Sequence, residues 1–389
     1  MSFLSFILQN KWIILFYLLI IVFIVVKRKK FQFQAKFIAL YRTKFGLKFI
    51  DRIGTKHSEF IKILGYMGIG IGYVGMITII GFIVKGIVDL ILNHNAPAVI
   101  APVIPGIPIP GSPIFVPFWY GIIALFIVVL IHEFSHGIVS RAHGIPVHNS
   151  GIVFFGPLIG AFVEPDEKKL QKQSDVVKYS VFAAGPWSNV ITAALALLIL
   201  SFVFNPAINA VAQPTGFSFL EITSGMPAEI AGLEAGVVYN KVNNIIVLTI
   251  PEFAAALGDL EAGETVLIGN DDIMYSVIAI ENPEAADTGI IGVQFHSQKN
   301  THFTNQNNVF VKLLIWFNGL FTWIFILSLG LGLANLLPLG PVDGGRMIQI
   351  SLEKIIGKKK GDHVWKKITL LLIIVLVILL IVPILRVII

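Results

Sequence analysis

The chain contains no cysteine. Disulfides are excluded, and so are thiolate zinc sites, which leaves His, Asp and Glu as the available metal ligands. Charge is scarce too. Only 13% of residues are Asp, Glu, Lys or Arg, against 56% hydrophobic, whereas a soluble domain carries about 25% charged residues. This excludes a soluble enzyme with one anchor and predicts a polytopic α-helical membrane protein. Lys and Arg are missing altogether between Gly86 and Ser140. The net charge of +6 does not point to nucleic acid, because Lys and Arg gather at the ends of apolar runs, where they set membrane topology.

What is present is six apolar segments of spanning length: Phe6–Val26, Ile63–Ile83, Phe118–Val139, Tyr179–Phe204, Phe310–Leu337 and Ile368–Ile389. The first precedes Lys27-Arg28-Lys29-Lys30, the reverse of a signal peptide, so it is expected to be retained. The second carries Gly68, Gly70 and Gly72, suited to close helix packing. Residues 27–56 hold ten Lys/Arg and are expected to be cytoplasmic. The same rule puts 141–178 and the loop containing Arg346 on that side, with the Pro-rich loop 94–117, residues 205–308 and both termini opposite. Two regions do not read as spans. Residues 150–164 are apolar but broken by Gly and Pro, which predicts a β-hairpin or re-entrant segment. Residues 205–308 have the polarity and short β-rich runs of an inserted α+β domain. The chain therefore divides into 1–62, 63–204, 205–308 and 309–389.

Within the third apolar segment stands His132-Glu133-Phe134-Ser135-His136. On a helix, four residues turn about 400° and rise about 6 Å, so both imidazoles reach one metal ion beside a glutamate. Burying two His and one Glu in a span is costly, and such groups are functional by default. A third ligand is needed. His143 and His148 lack metzincin spacing and read as loop histidines, and Glu164 lies 28 residues after His136. Asp343 fits better, because it sits past the fifth segment on the same predicted side as His136. A His₂Asp set would leave zinc one position open for water.

The helix-borne HExxH, followed far downstream by Asn335-x-x-Pro338-x-x-x-x-Asp343-Gly344, resembles the site-2 protease family of intramembrane metalloproteases. The stretch from His132 to His143-Gly144 resembles the family's first motif, with Ser135 where glycine is often found. Ala184-Gly185-Pro186-Trp187-Ser188-Asn189 resembles a further one. The resemblance covers roughly 118–204 and 310–356. It implies hydrolysis of peptide bonds in or near transmembrane helices of single-span membrane protein substrates. His132, His136 and Asp343 would hold one Zn²⁺ per chain. Glu133 would act as general base and acid. Asn189 and Asn335 would serve as oxyanion or substrate-backbone donors, or as interhelical hydrogen-bond partners. Family members are thought to bind unwound substrate on a strand edge, a role open to residues 150–164.

Residues Gly225 to Gly236, GMPAEIAGLEAG, resemble the signature of bacterial-type PDZ domains. Asn243-Asn244 stands where Asn-Gly is usual, and Thr215–Phe219 would be the carboxylate-binding loop. Such a domain would bind peptide C-termini or filter substrates by size. The expected partners are thus membrane protein substrates, peptide C-termini and the lipid bilayer, and no nucleic acid. A silent PDZ adaptor and a metal transporter are the competing readings. The former would need a lost ligand or base, and the latter would leave Glu133 idle.

Overall fold

The computed structural model describes residues 11–34, 38–92, 103–107, 114–155, 158–258, 260–282, 288–294, 301–305 and 307–388. The chain separates into two compact units, one formed up to Leu197 and from Leu320 onward, the other by Leu198–Gly319.

The first unit is helical with one small sheet. Its elements begin with α1 (Lys11–Val26), β1 (Phe31–Gln34), β2 (Ile38–Thr43), α2 (Leu47–Lys56), α3 (Ser58–Leu92) and α4 (Phe118–Ala142). They continue with β3 (Val147–Phe155), β4 (Leu158–Pro165), α5 (Glu167–Gln171) and α6 (Asp175–Ile199). Later in the chain come α7 (Val309–Asn335), whose first residues belong to the second unit, then α8 (Asp343–Ile356) and α9 (Lys358–Ile388).

Among the described residues, five helical runs are long and apolar enough to cross a membrane: Ser58–Leu92, Phe118–Ala142, Asp175–Val211, Val309–Asn335 and Lys358–Arg386. At most 28% of the residues in their apolar windows are buried by protein. An apolar surface of that extent is stable only against lipid. The chain is a multi-pass membrane protein. The third of these runs outlasts the expected Tyr179–Phe204 because a π-helical turn, Leu200–Phe204, carries it into Asn205–Val211. The expected span Phe6–Val26 falls partly outside the described residues, which begin at Lys11. The remaining 16 residues of α1 rise about 24 Å, short of a hydrocarbon core of about 30 Å. Most of the Pro-rich loop 94–117 and the last residue of the sixth segment also lie outside.

The hairpin expected over 150–164 is present as β3 and β4, extended to 147–165. Its sheet is larger than the sequence reading foresaw. The basic segment after α1 adds two strands, giving antiparallel order β1-β2-β3-β4. Phe31 faces Tyr41, Tyr41 faces Ile152 and Ile152 faces Ala161 across the ladders. β4 is the terminal strand and runs beside α4: a Cβ on Gly160 would meet Val129, and one on Gly137 would meet Val163.

Helix spacing decides which α3 glycines pack. A Cβ on Gly65, Gly68 or Gly72 would press on Ser180, Trp187 or Met347 at 3.1–3.3 Å, whereas Gly70 faces open space. Gly68 and Gly72 therefore admit α6 and α8, and Gly70 does not contribute. Buried Met76, Val139, Val181, Ala183, Ala184 and Met347 form the core where α3, α4, α6 and α8 meet. Across this junction, Ser351 of α8 bonds the hydroxyls of Tyr73 and Tyr179 at 2.6 and 3.0 Å.

The second unit is α+β. Strand Thr265–Gly269 pairs with Met274–Ile278 and with Lys241–Val242, which pairs in turn with Ile245–Ile246. The turn between the last two holds Asn243 and Asn244 at φ 48° and 64°, the paired positive φ of a type I′ hairpin. Helix Ile250–Leu257 starts at Thr249, whose hydroxyl accepts from Glu252 N–H, while Glu252 accepts from Leu248 N–H. Phe217, Phe219, Tyr239 and Phe253 are the aromatic centre of the core. The expected carboxylate loop, Thr215–Phe219, is differently employed. Pro214–Phe217 is a strand paired with Thr301–Phe303, and Phe217 exchanges both backbone bonds with Tyr239. Its N–H is therefore not available to a peptide carboxylate.

Candidate metal centre

His132 and His136 lie one turn apart on α4, with rings 4.9 Å apart at 76°. Asp343 is the first residue of α8, reached from α7 through the short irregular stretch 336–342. A glycine pair lets the chain turn this tightly: a Cβ on Gly344 would lie 2.3 Å from Leu336 O, and one on Gly345 2.1 Å from Leu339 O. His132 Nε2 and His136 Nε2 are 3.2 Å apart, and Asp343 Oδ2 is 3.1 and 3.4 Å from them. Among the described residues, these three form the one group of at least three His or carboxylate side chains whose ligand atoms lie within 4.8 Å of one another.

The residues fit zinc. Two atoms each about 2.0–2.1 Å from a tetrahedral ion lie about 3.3 Å apart, as these three do. Asp343 Oδ2 is buried and makes no hydrogen bond of acceptable geometry. The three atoms lie close enough together to share one ion. The far sides of the rings support this. His136 Nδ1 is 2.7 Å from Val181 O, an acceptor, so Nδ1 carries the proton and Nε2 a free lone pair. His132 Nδ1 is 3.1 Å from Nδ2 of the fully buried Asn189, whose Oδ1 lacks a partner. The two ends of an amide are isosteric, and a half-turn about its last bond exchanges them. With the oxygen toward the ring, Asn189 accepts from Nδ1–H, and His132 adopts the same tautomer as His136.

Glu133 faces the sheet, where its Oε2 accepts from Val163 N–H at 3.3 Å. Val163 therefore points its backbone groups away from β3, and by ladder alternation so do Ala161 and Ile159.

The other candidates are engaged elsewhere. Glu164 is held by Arg42 of β2 (Nη2–Oε1 2.6 Å, Nε–Oε1 2.8 Å) and by Asn149 at 2.9 Å. The bonds from Arg42 are the main reason its carboxyl is held below the usual range. Arg42 also donates to Gln32 of β1. His143 Nε2 bonds Ser180 Oγ at 3.0 Å, and His148 lies 3.4 Å from Asp166. Asn335 Nδ2 donates to Leu331 O of its own helix at 3.1 Å.

Sequence reasoning missed Val163, Val181, Arg42 and Gly185. The first two act through backbone atoms and carry no residue signal. Arg42 is visible only once the alternation of Phe31-Gln32-Phe33-Gln34 is read as a strand. Gly185 packs on the histidines so tightly that a Cβ would lie 2.4 Å from His136 Nε2 and 2.5 Å from His132 Nε2. Its place in a recognised motif was noticed, but not its duty.

The model of peptidase family M50 matches residues 120–380. An uncharacterized protein of Methanocaldococcus jannaschii is 28% identical over 317 residues, covering 78% of this chain and 75% of the relative. A "putative zinc metalloprotease" of Clostridium acetobutylicum is 24% identical over 307 residues, 62% of this chain and 88% of the relative. One of the same description from Clostridium perfringens is 22% identical over 309 residues, 62% and 89%.

Proposed function

The chain belongs to peptidase family M50, and from that premise we propose that it is a zinc-dependent intramembrane endopeptidase of the site-2 protease type. Its substrates are single-span membrane proteins, cut in or near their transmembrane helices. The observation that carries this is the approach of both Nε2 atoms, at 3.1 and 3.4 Å, to a buried Asp343 oxygen, with the two histidines on a helix long and apolar enough to cross a membrane.

His132, His136 and Asp343 would hold zinc, which when bound would supply Lewis acidity for a carbonyl and lower the pKa of water. Asp343 brings one negative charge to the site. Val181 O and Asn189 fix the two imidazole planes and keep both Nδ1 atoms protonated. Glu133, adjacent to His132 and braced by Val163 N–H, takes the proton of the attacking water and passes it to the leaving amine. Asn189 acts here as the orienting partner of His132, and Asn335, whose amide donates to Leu331 O, would have a second N–H for substrate backbone.

Substrate pairs with β4. That strand ends the sheet beside α4, and Ile159 and Ala161 turn backbone donors and acceptors outward, next in line after the Val163 N–H that meets Glu133. An extended segment added there by strand augmentation brings its backbone to the base. By the distribution of Lys and Arg the active site lies toward the cytoplasmic side, and residues 205–308 form an extracytoplasmic PDZ-like domain that binds peptide ends or restricts substrate size.

The test uses purified protein, a single-span substrate and zinc quantification in parallel. Glu133→Gln is expected to keep its zinc and lose cleavage by about 10²–10⁴-fold. Asp343→Ala is expected to lose zinc. Full activity in Glu133→Gln removes the proposed base, and unchanged zinc in Asp343→Ala removes that residue from the ligand set.

A further inference from the structure

Helix α2 carries charge that nothing on the protein answers. Lys44, just before it, and Lys48, Arg52 and Lys56 within it are exposed and make no ion pair among the described residues. The acid of this segment, Asp51, is taken by Arg141 of α4. Aromatic rings stand among the cations. Phe45 is 78% exposed, Phe49 54% and Phe60, in the first turn of α3, 63%. At 100° per residue, Lys48, Phe49, Arg52 and Lys56 share an arc of about 100°. The opposite arc is fixed to the metal-bearing helix. Ile50 is fully buried against Gly137, Gly54 lies on Ile138 and Arg141, and Gly46 takes the ring of Phe134.

We propose that this outer arc docks on anionic phospholipid headgroups of the bilayer that the long helices cross. Three observations commit it to that occupant. First, one residue, His57, separates α2 from α3, a run long and apolar enough to span, so α2 lies at the end of that span, where headgroups are. Second, the four cations match a surface of negative charge, and each contributes about five-fold to local partitioning. Third, an acidic protein would answer the cations and leave three phenylalanines in water, whereas a bilayer takes both, the rings below the headgroups and the ammonium groups among them. The face itself holds none of the candidate metal ligands or the candidate base. Its mechanical relation to those residues is direct, because the contacts of Gly46, Ile50 and Asp51 fall on Phe134, Gly137 and Arg141, within and just after the histidine motif.

The experiment uses the absence of cysteine. Thr55→Cys, exposed and beside the arc, gives the full-length protein a single thiol for a spin label. The labelled protein is reconstituted in phosphatidylcholine vesicles with and without phosphatidylglycerol. The expected result is slower label motion, and less collision with a water-soluble nickel chelate, when phosphatidylglycerol is present. High salt reverses this. The response disappears in Lys48→Gln/Arg52→Gln/Lys56→Gln and persists in Lys358→Gln/Lys359→Gln/Lys360→Gln, which neutralises another exposed basic cluster. Identical spectra in the two vesicle types overturn the proposal, as does a response that survives loss of the three α2 cations. A soluble acidic polypeptide that gives the full response on phosphatidylcholine vesicles also overturns it and makes the face a protein-docking site.

Discussion

Replacing Gly185 with alanine adds one methyl group against both histidines of the candidate centre. Built on the existing backbone, its carbon lies 2.4 Å from His136 Nε2, 2.5 Å from His132 Nε2 and 2.6 Å from His132 Cε1. Ordinary contact requires about 3.4 Å, so each ring must retreat by about 1 Å, while metal–ligand bonds tolerate shifts of about 0.2 Å. The methyl and an ion shared by the two nitrogens compete for one volume. Weakening an outer hydrogen bond to a ligand costs about 10–100-fold in metal affinity, and displacing both ligands costs at least the upper end, about 100-fold. Helix stability pulls the other way, since alanine in a helix interior is favoured over glycine by about 1 kcal/mol. Gly185→Ala is therefore expected to stay folded and lose its zinc, measured as metal per chain after equilibration against a graded chelator, with thermal unfolding as the control. Zinc retained stoichiometrically at unchanged affinity would refute the reasoning, because the two Nε2 atoms could not then be sharing an ion beside Gly185.

Two further outcomes separate roles that the sequence left open. Asn189→Ala is expected to lower zinc affinity about 10–100-fold if Asn189 orients His132. An oxyanion donor would leave zinc in place and lower only kcat, so chelator competition and kinetics on one sample decide. Glu164 is held below its usual range mainly by the Arg42 hydrogen bonds. The folded state thus binds that proton less readily than the unfolded chain. The pair stabilises fully above the unfolded value near 4.3 and loses its effect as pH falls through the lower folded value. Both partners are about 30% exposed, so the stabilisation stays below about 1 kcal/mol. Thermal unfolding of wild type and Glu164→Gln should differ near neutrality and converge in acid. A difference that grows below pH 4 contradicts this account.

Much of the centre was legible because its chemistry demands residue types at fixed helical spacing. His132, His136 and Glu133 follow from one turn of helix, and Asp343 from a carboxylate at matching depth. The two strands before α2 are not legible in the sequence, because Phe31–Gln34 offers only four alternating residues directly after a run of four cations. Gly70 was grouped with Gly68 and Gly72, although a spacing of two residues turns a helix by about 200° and cannot serve one face. Glu164 was weighed as a ligand on spacing alone. Only the partner strand, which brings Arg42 within 2.6 Å, shows what the carboxylate is for. The backbone roles of Val163 and Val181 depend on where a chain passes, which side-chain identity does not encode.

Strand β4 has one more consequence. Its outward backbone groups recur at every second residue, about 6.8 Å apart. A partner strand slipped by a single residue would turn its side chains to the wrong face and its hydrogen bonds out of register. On the proposed reading, the enzyme measures its substrate with a ruler graduated in dipeptides. Successive scissile bonds that come opposite Glu133 are then two residues apart, and the choice between them rests on which side chains the substrate turns toward α4, not on the backbone being cut.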